Sequence, residues 1–212
     1  MKYAQSRVVV LTLLTAGLSL PLHAYGGVST EEHFAQEETT GQSALPETRQ
    51  FDDGPYVSWK DASTAVVVCI VNGEVTRSVI KDITEPIDVP TPCADVPSIH
   101  LDPNPPQPSA AKWPMPSRVL AVSDLEGNYQ AFQDFLRGNG VIDKDGHWSW
   151  GDGHLVLVGD IVDRGDQVTE ILWMIHRLER EAKAAGGEVH YVLGNHETMV
   201  MAGDLRYIHP KY

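Results

Sequence analysis

The chain has 212 residues, of which 42% are hydrophobic and 21% charged, a balance too apolar for disorder throughout. Its 16 basic and 29 acidic side chains leave a formal charge of −13, a field that repels polyanions and argues against a general nucleic-acid binder. Beyond the first residues no apolar run reaches the roughly 18 needed to span a bilayer, and two cysteines are too few for a disulfide-rich scaffold or a cysteine zinc site.

The first 24 residues read as a secretory signal. Lys2 and Arg7 supply positive charge, Val8 to Leu20 is an apolar stretch, and Leu22-His23-Ala24 resembles a small-residue cleavage site. A buried helix or a retained anchor is the alternative. Export, most simply to a bacterial periplasm, is the expectation. No cysteine follows the stretch to carry a lipid anchor.

Residues 25–51 carry Glu31, Glu32, Glu37, Glu38 and Glu47 with little apolar periodicity, and read as a disordered acidic spacer. Residues 52–89 form a small β module. Val66 to Val71 is a strand, Asn72-Gly73 is a two-residue turn signal, and Val75, Ser78 and Val79 continue beyond it. Such a module is too small to stand without a partner or a staple. In an exported protein Cys69 and Cys93 can form that staple, although a buried Cys69 with an unpaired Cys93 fits the residues equally well. Residues 90–117 hold nine of the 14 prolines and read as a stiff, extended linker.

From Arg118 onward strands and helices alternate. Arg118 to Val122 is a buried strand, and Asn128 caps a helix with apolar positions Tyr129, Phe132, Phe135 and Leu136. Leu155 to Val158 is a second strand, Val168 to Ala182 a long amphipathic helix, and Val189 to Leu193 a third strand. The order is β-α-β-α-β, and right-handed crossovers make the strands parallel. Asp143 and Asp145 read as turn formers, Trp148 and Trp150 as cross-strand packing, and His147, His154, His176 and His190 as structural or surface residues.

The polar residues gather just past the carboxyl ends of the strands, where such folds place function. Strand one runs into Asp124-Leu125-Glu126-Gly127-Asn128, strand two into Gly159-Asp160 and Asp163-Arg164-Gly165, and strand three into Gly194-Asn195-His196-Glu197. Asp124, Glu126 and Asp160 would repel one another there unless a cation compensated them. Carboxylates with an amide oxygen from Asn195 suit a hard divalent ion, and Asp160 stands where it could bridge two.

DLEGN, GDIVDRG and GNHE, in this order, resemble the first three motifs of the calcineurin-like metallophosphoesterases. GDIVDRGDQVTEILW with GNHETM and GDLRY is most similar to the Shewanella-like protein phosphatase branch. The resemblance covers about 118–212 and implies an α/β fold, the N-terminal half of a metallophosphoesterase αββα sandwich behind the small β module. It implies two divalent metal ions, Mn, Fe or Zn, with Asp124, Glu126, Asp160 and Asn195 as ligands. His196 becomes the general acid, Asp163 its orienting partner, and Arg164 a catalytic and substrate-binding clamp for the phosphoryl group. Asn195 also faces substrate; Arg206 either binds substrate or pairs with Asp204. The implied reaction is hydrolysis of phosphomonoesters, with phosphorylated protein or a small phosphomonoester as partner and neither nucleic acid nor membrane after signal cleavage.

Two departures stand out. The family's first motif is usually Asp-x-His, and here it is Asp124-Leu125-Glu126, read as one ligand exchanged for another. The family also draws histidine ligands from a second half, so the chain is expected to be a truncated product. The alternatives are an inactive phosphate-binding or interaction module and a nucleotide polyphosphate hydrolase on the same scaffold.

Overall fold

A computed structural model describes residues 8–12, 51–104, 110 and 112–212. The expected acidic spacer lies, but for Phe51, outside the described residues, as does the expected cleavage site at Ala24. Of the expected leader, only Val8–Thr12 is described.

The strands of the functional half are β7 (Val119–Ser123), β8 (His154–Leu157) and β9 (Glu188–Tyr191), crossed by α1 (Tyr129–Gly138) and α2 (Val168–Ala184). β7 pairs with β8 and β8 with β9, both in parallel register. A further parallel strand, β1 (Val8–Thr12), lies along the other edge of β7, so the sheet order is β1-β7-β8-β9. The apolar periodicity explains the packing. Phe132, Phe135 and Leu136 of α1 and Ile171, Met174, Ile175, Leu178 and Ala182 of α2 bury one stripe each against Leu120, Val122, Leu155, Leu157 and Val189 of the sheet. The Asn128 side chain accepts a 3.0 Å hydrogen bond from the Ala131 N–H, the cap expected from its residue type. Trp148 and Trp150 meet edge to face at 6.3 Å.

The segment before this half is all β. β2 (Asp53–Trp59), β3 (Ala65–Val71) and β4 (Glu74–Ile80) form an antiparallel sheet, with Asn72 and Gly73 turning β3 into β4 at φ of 53° and 78°. Cys69 and Cys93 are joined by a disulfide. The stretch expected to be an extended linker from residue 90 is structured as far as Leu101. β5 (Ile87–Pro90) and β6 (Ser98–Leu101) pair antiparallel, and Val96, Ile99 and Leu101 join a second core with Ala65, Val67 and Ile83. The prolines permit this because Pro90 sits at a strand end and Pro97 just outside the ribbon, where no ladder N–H is needed. Trp173 of α2 packs against this second core and donates from Nε1 to the Pro55 carbonyl at 2.8 Å. No helix among the described residues is long and apolar enough to cross a membrane.

Candidate active site

Because β7, β8 and β9 are parallel, their carboxyl ends open on one edge, and the three expected motifs meet there. The loop after β7 is laced to the loop after β8. The N–H groups of Asp124, Glu126 and Gly127 donate to the carbonyls of Gly159, Asp160 and Ile161, at 3.2, 3.0 and 2.9 Å, and Gly165 donates back to Glu126 at 2.9 Å. Among the described residues seven non-glycine positions adopt left-handed backbone, and five of them lie in these two loops: Asp124, Glu126, Asp160, Asp163 and Arg164. Each costs of the order of 1 kcal/mol or more, so strain is concentrated where the expected functional residues stand. Gly127 allows the approach, since a Cβ there would fall 2.7 Å from the Gly165 backbone.

The third loop leads into α3 (Asn195–Met201), a short helix that sequence periodicity did not show. Its first residues hold two expected site residues. The His196 N–H donates to Asp160 Oδ1 at 2.9 Å, and its ring Nδ1 lies 2.7 Å from Asp163 Oδ2. The two side chains of that pair are 7% and 1% exposed. Nε2 of His196 has no hydrogen-bond partner among the described residues. Gly194 makes the fit of Asp160 possible, because a Cβ on it would stand 2.3 Å from Asp160 Oδ1.

Glu197 is a residue the sequence reading passed over. Its buried carboxylate accepts from the N–H groups of Asp160 at 2.9 Å, Ile161 at 2.7 Å and Gly194 at 2.7 Å, and from the Tyr191 hydroxyl at 3.0 Å. Burial pushes the carboxyl up, but the converging N–H donors outweigh it and hold it below the ordinary range. One side chain thus fixes the second loop to the third. The signal was its place in GNHE, four residues that sequence reasoning read for Asn195 and His196 only.

Arg164 is half-exposed, and its Nη1 forms an ion pair with the Glu126 carboxylate, itself 8% exposed. Two residues expected to act separately, as phosphate clamp and metal ligand, are in contact. The Arg164 N–H donates to the Tyr207 carbonyl at 2.8 Å, and the Tyr207 ring lies 5.6 Å from the Arg164 guanidinium and 5.3 Å from the His196 ring. Arg206 is held by Asp204 through bonds of 2.8 and 2.7 Å, the second of its two expected arrangements. Elsewhere, His154 and His190 bond each other at 2.9 Å and His147 meets Glu181 at 2.8 Å. A cleft of about 530 Å³ between the β5–β6 ribbon and the helices is lined by His100, Arg137, Trp173 and Arg177 and by none of the expected site residues.

Among the described residues no group of three or more His, Cys, Asp or Glu stands close enough to hold a metal ion unaided. The donor chemistry still fits one in part. Asp124 and Asp160 present carboxylates and Asn195 an amide on three adjoining loops, which suits a hard divalent cation sharing its remaining positions with other donors.

The family model for calcineurin-like phosphoesterase matches residues 117–212. Over 100 residues the chain is 37% identical to Shewanella-like protein phosphatase 2 of Arabidopsis thaliana, a match covering 47% of this chain and 26% of that protein. It is 30% identical over 95 residues to a symmetrical bis(5'-nucleosyl)-tetraphosphatase of Nitrosococcus oceani, 44% of this chain and 29% of the relative. A solved cold-active protein-tyrosine phosphatase from a psychrophilic Shewanella superposes with a TM-score of 0.63 at 38% identity, covering 76% of this chain and 48% of the other. The chain therefore spans about a quarter of the first curated relative and about half of the solved one.

Proposed function

Residues 117–212 belong to the calcineurin-like phosphoesterases, and from that premise we propose that the chain contributes to the active site of a metal-dependent phosphomonoesterase acting on phosphoprotein. The observation that carries this reading is the buried Asp163–His196 pair at the meeting of three strand ends, with the Tyr207 ring near both its imidazole and the Arg164 guanidinium. Calcineurin-like phosphoesterases typically use divalent metals. Asp124, Asp160 and Asn195 would hold two such ions, whose charge, when bound, would activate an attacking water and neutralise phosphoryl oxygens.

The chain's own residues supply the rest. Asp163, accepting from Nδ1–H, fixes the imidazole so that Nε2 faces outward to give its proton to the leaving oxygen. Arg164 binds two phosphoryl oxygens through its planar fork, and its stabilisation grows as charge develops on them. The tyrosine phosphatase similarity makes phosphotyrosine the first substrate to try. Release of phosphate from a phosphotyrosine peptide and from p-nitrophenyl phosphate, with and without Mn²⁺, tests the reading. Metal-dependent release supports it; phosphate binding without turnover supports the binding-module alternative. The tetraphosphatase similarity sustains a second reading, decided by whether diadenosine tetraphosphate is cleaved in preference.

Export to the periplasm is proposed from the charged start, apolar stretch and small-residue exit of residues 1–24. Cleavage there would remove β1 and leave β7 as an edge strand. N-terminal sequencing of the mature protein tests it, with Tyr25 expected at or near the start.

A further inference from the structure

The ion pair between Glu126 and Arg164 gives the glutamate a task that the resemblance does not. The shortest approach between the two side chains runs from Glu126 Oε1 to Nη1 of the guanidinium. Among the described residues Nε and Nη2 of Arg164 have no partner, and those two donors form one edge of the planar fork. That edge is the one that matches two phosphoryl oxygens. The backbone on both sides is committed as well: Glu126 N–H to the Asp160 carbonyl, Gly165 N–H to the Glu126 carbonyl, and Arg164 N–H to the Tyr207 carbonyl. Glu126 and Arg164 both hold left-handed backbone, at φ of 46° and 57°, so the pair is built by two strained loops that lock together. A half-exposed arginine without such a partner would sample many rotamers, and each binding event would have to order it.

We propose that Glu126 is a positioning residue for Arg164, holding Nη1 so that the Nε–Nη2 edge is presented to the phosphoryl group, and is not a metal ligand. The inference rests on the phosphomonoesterase reading above. Two effects oppose each other in it. The carboxylate repels a phosphate dianion, while ordering the guanidinium spares rotamer entropy and aims two donors. With divalent ions in the site the first is largely compensated, and ordering prevails.

The test measures inorganic phosphate affinity and Mn²⁺ per chain in the full protein, its Glu126→Gln and Glu126→Ala variants, and each in an Arg164→Ala background. Phosphate affinity should fall about five- to tenfold in Glu126→Ala, corresponding to the ordering cost, and recover to within about twofold in Glu126→Gln, whose amide oxygen still accepts from Nη1. Mn²⁺ content should not change. With Arg164 removed, Glu126→Ala should have no further effect on phosphate. Loss of Mn²⁺ from Glu126→Gln, tighter phosphate binding by Glu126→Ala, or additive effects of the two sites would each overturn the assignment. If the unaltered protein binds no phosphate even with Mn²⁺, the phosphomonoesterase reading itself fails, an outcome distinct from all three.

Discussion

Asp163 Oδ2 lies 2.7 Å from His196 Nδ1 in a pair that solvent scarcely reaches. That contact orients the ring through Nδ1 and leaves Nε2 as the nitrogen that can meet a substrate. The arrangement is asymmetric by design: one nitrogen is tethered and the other is free to exchange.

From this asymmetry comes the first prediction. In the active enzyme, His196→Asn should lower hydrolysis of alkyl phosphomonoesters about 10²- to 10⁴-fold and spare p-nitrophenyl phosphate in part, because a good leaving group departs without protonation. Asp163→Asn should show the same leaving-group dependence at smaller size. Rates across a series of leaving groups measure it; an equal loss throughout the series would remove the general-acid role.

Glu197 supports the second. Its carboxyl is held below the ordinary glutamate value of 4.5, so the folded state gains from its ionised form. That gain is complete above the ordinary value and is lost as pH falls through the lower folded value. Glu197→Gln should therefore cost about 1–3 kcal/mol near pH 7, because several buried N–H groups lose a charged acceptor. The gap to the unaltered protein should narrow once pH falls below 4.5 and close only below the lower folded value. Urea unfolding at a series of pH values gives both numbers, and a pH-independent gap would show that the charge is not what matters.

How much of this was legible in the residues depends on distance along the chain. The parallel strands, α1 and α2 follow from apolar periodicity over windows long enough to show it, as with Val168 to Ala182. α3 escaped because seven residues beginning Asn-His-Glu carry too little of the helical period and their polar groups are spent on loops. The β5–β6 ribbon was masked by its prolines, although Ile87 and Val89 alternate with polar neighbours in the manner of a strand. Pairings between remote positions, such as Glu126 with Arg164 or Asp53 with Lys211, leave no local pattern at all.

That last pairing leads to the third prediction. Lys211 Nζ lies 3.1 Å from Asp53 of β2 and 3.4 Å from Glu170 of α2, and donates to the Asp166 carbonyl at 2.7 Å. The three side chains are nearly buried, and the neighbouring Tyr212 hydroxyl accepts from the Val168 N–H at 3.0 Å at the start of α2. Burial pushes the Glu170 carboxyl up even with the lysine beside it. Lys211→Met would leave two carboxylates without compensation and should cost about 3–5 kcal/mol at neutral pH. Without the lysine, burial would push the Glu170 carboxyl up further, so the deficit of the variant should shrink as acid protonates that group. A deficit that is small and insensitive to pH would mean that the lysine contributes packing alone.

The Cys69–Cys93 disulfide carries the fourth prediction. It joins β3 to the turn between β5 and β6, across a separation of 24 residues. In the chain-entropy account such a loop stabilises the folded state by about 3 kcal/mol, by restricting the unfolded chain. A β segment with one small core has little else of comparable size, since its buried apolar residues are few: Ala65, Val67, Ile83, Val96, Ile99 and Leu101. The Cys69→Ala, Cys93→Ser double variant should therefore melt lower by about 6–12 °C, the shift that 3 kcal/mol produces in a chain of this size. Trp173, packed on that core and bonded to the Pro55 carbonyl, should report the loosening as a red-shifted emission at temperatures where α1 and α2 remain folded. If the fluorescence of Trp173 and the helical circular dichroism are lost together at the lower temperature, the β segment and the functional half unfold as one unit, and the bridge stabilises both. If neither moves, the bridge closes a loop that the unfolded chain already keeps compact, and the entropic account does not hold for it.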